Sequence, residues 1–426
     1  LQENLLAIAV MVLVYVLIVS ERVHRTTAVL LGVLLLLGLG ILTLPEAVAY
    51  VDWNALGLIF GMFVLVSALR DAGFFRWLGL HALRAARFRP ARTFLLLCAL
   101  TGVLAAFMDS ITVMIFMASL ALEASRLLGV RATPFLIGMI TSANIGGSAT
   151  MVGDPPNVIM GTALNLGFLD FAKNVGPVAL AAFAVNMGFF ILYFRGTHLS
   201  GRHRTPTPAA ADGGWDPASA VTDWRLLRVA LIVFAFTVTL LVLHQVLDLM
   251  VAFVALLGAT LVLIFGGKDM PDLVSKIDWH ALMFLGGLFV VVGGLEKTGV
   301  LDDLGRGLGG IAGGNPAVLL TLLLWMSAIL SMVLDNVPFA AAMVPVIRNL
   351  SVGSGIPAGT MVWPLALGMN VGGNATPIGA SANVVGLAVA EKANVHVTWR
   401  EYMASAAPAS FVAIAVCNLI LLLRFA

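Results

Sequence analysis

Charge is the first thing this chain lacks. Of its 426 residues only 11% are Asp, Glu, Lys or Arg, against about 25% in a soluble globular chain. That excludes a water-soluble domain, and with a net charge of +2 no nucleic-acid partner is expected. Cysteine is scarcer still. Cys98 and Cys417 stand in apolar surroundings far apart in sequence, a pattern of two buried thiols rather than of a disulfide or metal site. The histidines are scattered, none in H-E-x-x-H spacing, so no metal or other cofactor is implied. Short alternating strands of the barrel type are absent as well.

Apolar residues make up the balance, 60% of the chain at a mean hydropathy of +1.03. Runs at 5–20, 26–44, 56–69, 230–243 and 411–423 approach the ~20 residues that cross a bilayer. The reading is an all-α polytopic membrane protein. Its first run lacks a basic n-region and an A-x-A site, so it reads as a retained span rather than a signal peptide.

Slid along itself until Asp52 meets Asp278, the sequence matches its own second half without a gap. "DWNALGLIFGMFVLVSALRDAGFFRWLG" (52–79) faces "DWHALMFLGGLFVVVGGLEKTGVLDDLG" (278–305), identical at 12 of 28 positions. The same offset sets Pro45 on Pro271, Asp109 on Asp335 and Asn144 on Asn370. Residues 1–194 and 224–426 are therefore read as two repeats, joined by a polar cytoplasmic linker, 195–223. In the first repeat, 93–125 is interrupted by "FMDSIT" and flanked by arginines at both ends. Two full spans and a turn would need more than ~40 residues, so this stretch reads as a re-entrant helical hairpin. A broken helix follows at about 134–165; the second repeat repeats the pattern with a hairpin at about 317–347 and a broken helix at about 360–390. Five crossings per repeat is an odd number, so the second repeat enters the membrane inverted. About ten transmembrane helices, two hairpins and two broken helices make the plan of a secondary transporter. An N-terminus outside a plasma (inner) membrane puts 19 of the 24 Lys and Arg in the cytoplasm, as the positive-inside rule asks.

Polar residues cluster where the two repeats coincide. Asp109 and Asp335 sit between apolar arms, in "AFMDSITVM" and "SMVLDNVPF". An aspartate at that depth costs roughly 2.5–3.5 kcal/mol and is functional by default; the bland alternative is a cap on a hairpin arm. "NIGGSATMVGDPPN" (144–157) meets "NVGGNATPIGASAN". Gly146–Gly147 and Gly372–Gly373 are expected to take positive φ and let the helix unwind, which is tolerated only against protein or a water-filled cavity. Asn144, Ser148 and Thr150, with Asn370, Asn374 and Thr376, bring hydrogen-bonding groups to the same place. Pro155 and Pro156 suit the start of a second half-helix. Asp154 has no acidic twin, Ala380 standing at its image; it is read either as the N-cap of that half-helix or as a titrating group. The arginines of 70–92 read as a topology determinant, and Trp53 and Trp279, beside Asp52 and Asp278, as interface anchors.

At these residues the chain resembles the ArsB/NhaD branch of the ion transporter superfamily, arsenical efflux pumps of the ArsB type above all. The resemblance implies a scaffold and a transport domain, elevator-type movement, and export of arsenite and antimonite in exchange for protons, in some members with a soluble ATPase subunit. Related carboxylate transporters carry Ser-Asn-Thr at the hairpin tips. Here the tips are Asp109–Ser110 and Asp335–Asn336, two carboxylates that would repel an anion. A neutral trihydroxide suits Asn, Ser and Thr groups, and no cysteine falls in either motif to hold trivalent arsenic too tightly. Asp109, Asp335 and Asp154 are the candidate proton carriers; Ser110, Asn336 and the residues of the two glycine motifs are the candidate substrate ligands. The alternatives are a sodium/proton antiporter of the same plan, with aspartates as oxygen ligands, and an intramembrane aspartyl protease. The protease is disfavoured because Tyr-Asp and Gly-x-Gly-Asp motifs are missing.

Overall fold

In the computed structural model residues 2–20, 22–194, 216–267 and 275–426 are described; most of the linker, 195–215, and Pro271 lie outside the described residues. Among the described residues there are twenty α-helices and no strand. The first repeat supplies α1 (Gln2–Val19), α2 (Arg25–Gly38), α3 (Leu44–Tyr50), α4 (Trp53–Asp71), α5 (Phe74–Ala85), α6 (Pro90–Phe107), α7 (Ser110–Leu128), α8 (Ala132–Ser148), α9 (Pro155–Ala163), α10 (Phe168–Asn174) and α11 (Gly176–Phe194). The second supplies α12 (Trp224–Leu243), α13 (Val251–Phe265), α14 (Trp279–Lys297), α15 (Val300–Ala312), α16 (Pro316–Ser331), α17 (Asn336–Ser354), α18 (Ala358–Gly373), α19 (Ser381–Lys392) and α20 (Trp399–Phe425). Eight helices are long and apolar enough to cross a bilayer, and four further apolar helices are shorter. Leu34, Leu180, Ile232 and Leu423 each expose more than 60% of their surface, which suits lipid and not water.

The helix ends recur with the sequence. α14 begins and ends at the images of the first and last residues of α4, and α17 does the same for α7. Local chemistry explains it. Asp52 and Asp278 each accept the N–H three residues on, from Ala55 and Ala281, at 2.9 Å, the N-cap that starts a helix. Gly73 and Gly299 stand at φ of +85° and +77°, and Gly129 and Gly355 at +64° and +70°, where a side chain is strained.

Packing follows the same exchange. α4 lies on α13, and α14 on α2. Glycine sets the closeness: a Cβ on Gly61 would fall 2.5 Å from the Ala255 backbone, and one on its image Gly287 would fall 2.7 Å from Val29. Around these four helices α1, α3 and α12 complete one group. α6 to α11 and α16 to α20 form the other, with α8 against α18 and α11 against α20. Reciprocal contacts of this kind are the mark of two-fold symmetry. The helix pairs at the expected hairpins, 93–125 and 317–347, run from 90 to 128 and from 316 to 354, and α6, α7 and α17 are among the helices long and apolar enough to cross a bilayer. In the first pair Arg92 and Arg126 sit inside the end turns, their long stems carrying the charge clear of the apolar arms.

Candidate functional site

Both hairpins turn on an aspartate. Asp109 caps α7, its Oδ2 accepting the Thr112 N–H at 2.9 Å and the Thr112 hydroxyl at 3.1 Å. Asp335 caps α17, its Oδ1 accepting the Val337 N–H at 3.1 Å. Both aspartates therefore start a helix. The second oxygen of each is left over for other work. Asp109 Oδ1 is buried without a hydrogen-bond partner, and Asp335 Oδ2 lies 3.7 Å from the Arg25 guanidinium.

The two tips meet in one cavity of about 210 Å³, lined by Asp109, Ser110, Asn144, Asp154, Asp335 and Asn336. Asp154 stands where an N-cap of α9 would, yet its side chain caps nothing. Instead it accepts the Ser110 hydroxyl at 2.9 Å, so it faces the first tip. Arg25, the first residue of α2, closes part of the cavity from the other helix group, its guanidinium 5.2 Å from the centroid of the Phe284 ring, a cation–π distance. Arg70 and Lys276 also line it, both bonded to Asp71, at 3.2 and 2.7 Å. Asp278 completes the acidic set.

The glycine motifs work differently from the expectation. None of Gly146, Gly147, Gly372 and Gly373 has positive φ; α8 and α18 run straight through the pairs. The breaks come after them, at 149–154 and 374–380. What the glycines supply is closeness. A Cβ on Gly146 would lie 2.0 Å from the Gly102 carbonyl oxygen, and one on Gly372 2.4 Å from the Ala328 Cα. Each break loop is then tied to its hairpin by a threonine: Thr150 donates to the Ala106 carbonyl, Thr376 to that of Met332.

Several predicted ligands stay outside the cavity. Ser148 donates to the Ile145 carbonyl at 2.7 Å and Asn370 to that of Ala366 at 2.9 Å, each within its own helix. Asn374 accepts the Asn144 amide at 2.7 Å. Sequence reasoning missed the residues that hold the breaks open. Asn157, fully buried, donates to the carbonyls of Gly147, Ser148 and Thr150 at 2.9–3.2 Å. Asn383 donates to those of Gly373 and Thr376 at 2.8 Å and accepts Asn144 at 2.7 Å. Their signal lay in the sequence, since the two asparagines end the quoted motifs and are images of one another under the repeat. Arg25 carried no such signal, its image being Val251, and Arg70 was read only as a topology charge.

Such an arrangement brings carboxylates, two amides and hydroxyls to the wall of a cavity the size of a small polar solute. Cys98 and Cys417 are buried and free, and neither is part of that lining. Comparison with known proteins agrees with a transport role. The chain is 33% identical over 429 residues to an uncharacterized transporter of Mycobacterium tuberculosis, covering 99% of each. It is 29% identical to an uncharacterized transporter of Synechocystis, over 97% of this chain and 96% of that one. The P protein of Homo sapiens is 28% identical over 93% of this chain and 57% of its own length. In fold it is similar to the YdaH transporter of Alcanivorax borkumensis, with a TM-score of 0.59 at 15% identity over 90% of this chain and 88% of the other. The model of the CitMHS family, described as citrate transporter, matches residues 15–368, both hairpins and the first break included. This polytopic membrane protein is a transporter of the ion transporter superfamily and belongs to the CitMHS citrate transporter family.

Proposed function

We propose that the protein is a proton-coupled secondary transporter that moves a small, uncharged, hydroxyl-rich solute, arsenite and antimonite being the solutes that fit, out across the plasma membrane. The observation that carries this reading is the convergence of Asp109, Asp154 and Asp335 on one thiol-free cavity. A fixed anion would meet four carboxylates there, Asp278 included; a trihydroxide finds donors and acceptors in Ser110, Asn144 and Asn336. Asp109 and Asp154 are the proton carriers, because one has an unpartnered buried oxygen and the other is held by a hydroxyl alone. Asp335 has Arg25 beside it and serves the solute rather than the proton. Movement of the hairpin group against the group of α4 and α14 carries the solute, in the elevator manner. A tricarboxylate is the second reading, favoured by the family's description and by Arg25, Arg70 and Lys276 on the same cavity wall.

Proteoliposomes with an imposed pH gradient separate these readings, with arsenite, antimonite, citrate and sodium offered in turn. Gradient-driven accumulation of arsenite or antimonite is the expected result. Asp109→Asn and Asp154→Asn proteins should still bind solute yet accumulate no more than empty liposomes. Uptake of citrate alone installs the second reading, and sodium flux alone makes the protein a sodium/proton antiporter. Accumulation that follows the gradient in both Asn variants removes the proton assignment.

A further inference from the structure

A second cavity, of about 370 Å³, is lined by Tyr50, Asp52, Phe289, Val292, Glu296 and Ala341 among others. Carried across by the repeat, those six become Lys276, Asp278, Phe63, Val66, Arg70 and Ile115, all of them lining the central cavity. The two hollows are thus images of one another. They also lie at opposite ends of one spanning helix. The central cavity takes Ser67 and Arg70 from the C-terminal end of α4 and Asp278 from the N-terminal end of α14. The second takes Asp52, before the N-terminal end of α4, and Glu296 from the C-terminal end of α14. Nineteen residues separate those ends by about 28 Å at 1.5 Å per residue. One difference matters. The second cavity stops short of Asp109, Asp154 and Asp335, none of which lines it; Ala341 on its wall is 3% exposed, where its image Ile115 in the central cavity is 42% exposed.

Two contacts between the helix groups have no image. Arg25 of α2 meets Asp335 of the second hairpin at 3.7 Å, and the image of Arg25 is Val251, which carries no charge. Thr162 of α9 donates to Asp52 Oδ2 at 2.5 Å, and the image of Thr162 is Ala388, which has no hydroxyl. Both bonds bridge parts that must slide past each other if the hairpin group moves.

We propose that the second cavity is the entrance to the same central carboxylates from the opposite face of the membrane, held shut here by the Arg25–Asp335 and Thr162–Asp52 contacts. The solute therefore enters past Arg70 and Lys276 at one face and leaves past Asp52 and Glu296 at the other, and the two single-copy contacts favour the state in which the basic mouth is open. This inference rests on the transport reading above, but its test needs no solute.

Cys98→Ala/Cys417→Ala protein in oriented vesicles is treated from either face with a membrane-impermeant thiol reagent. With Val66→Cys added, labelling is expected from one face; with Val292→Cys, slower labelling from the other. Adding Arg25→Met or Thr162→Val should slow the first and speed the second, changing their ratio about fivefold, the scale of a part-exposed ion pair. The image pair Ile115→Cys and Ala341→Cys repeats the measurement where either valine variant fails to reach the membrane. Labelling of both positions from the same face overturns the proposal, and so does a ratio that neither latch variant changes. Reciprocal labelling with no flux of any solute leaves the second entrance standing and removes the transport reading. Flux combined with same-face labelling does the reverse.

Discussion

Single atoms set the tolerances of this transporter. At Gly146 a methyl group would fall 2.0 Å from the Gly102 carbonyl, backbone against backbone with no flexible side chain to give way. At Gly188 it would meet nothing within 4 Å. Gly146→Ala is therefore expected to lose about 3 kcal/mol or to fail to accumulate, in the upper part of the overpacking range, while Gly188→Ala keeps its stability. Thermal unfolding of the two proteins in detergent compares them directly, and equal midpoints would remove close packing as the role of the glycine motif. The same logic ranks the polar residues. Asp154, unlike Asp109 and Asp335, has its side chain free of any capping bond, so its replacement should alter coupling more than helix stability.

At the level of the element, the helix breaks are amide-braced. Unwinding α8 leaves carbonyls at Gly147, Ser148 and Thr150, and the two N–H groups of one side-chain amide, Asn157, are shared among the three. A buried acceptor without its donor costs about 1–3 kcal/mol. Asn157→Leu should therefore destabilise the protein by about 3 kcal/mol or more, whereas Ser148→Ala, whose hydroxyl only returns to its own helix, should cost less than about 1 kcal/mol. Chemical denaturation of the purified proteins reads both, and a Ser148→Ala protein less stable than Asn157→Leu would contradict the bracing account. The image residue Asn383 does two of these jobs and also receives Asn144, which is how the two breaks are joined into one body.

Across the whole molecule, few ion pairs among the described residues tie one repeat to the other. One of them lies at the end of a span, where Nζ of Lys297, the last residue of α14, approaches Oε1 of Glu46 in the short helix α3 at 2.6 Å. Lys297, with the Thr43 N–H and hydroxyl behind it, holds the Glu46 carboxyl down to about 2. A carboxyl lowered on folding stabilises above its unfolded value, near 4.3, and that contribution disappears as pH falls through the folded value. Both partners are about 40% exposed, so solvent keeps the effect small. Glu46→Gln should unfold slightly below the parent at pH 7, with the gap narrowing below about pH 5 and gone near pH 2. A gap that widens in acid would mean that Glu46 is not the partner that matters.

The sequence by itself determined the solvent, the repeat and the positions of the polar interruptions. Eleven per cent charge and runs near bilayer length leave lipid as the only surroundings, and caps such as Asp52, Asp109 and their images act within four residues, so their helix starts are legible locally. The limits of the first helix pair extend past the expected ones because the arginine stems inside its end turns look like flanks. Only the tertiary structure decided what the glycines do, since a close approach between Gly146 and Gly102 depends on where a second helix lies, not on the residues beside either one. It likewise decided that Asp154 faces Ser110 and that Arg25 faces Asp335. Neither pair is close in the chain, and Arg25 has no acidic or basic counterpart in the repeat to point to it. Symmetry and its missing images, such as Ala380 opposite Asp154, can be read from a chain shifted against itself; which of the unmatched residues meet each other is decided only once the two halves are packed together.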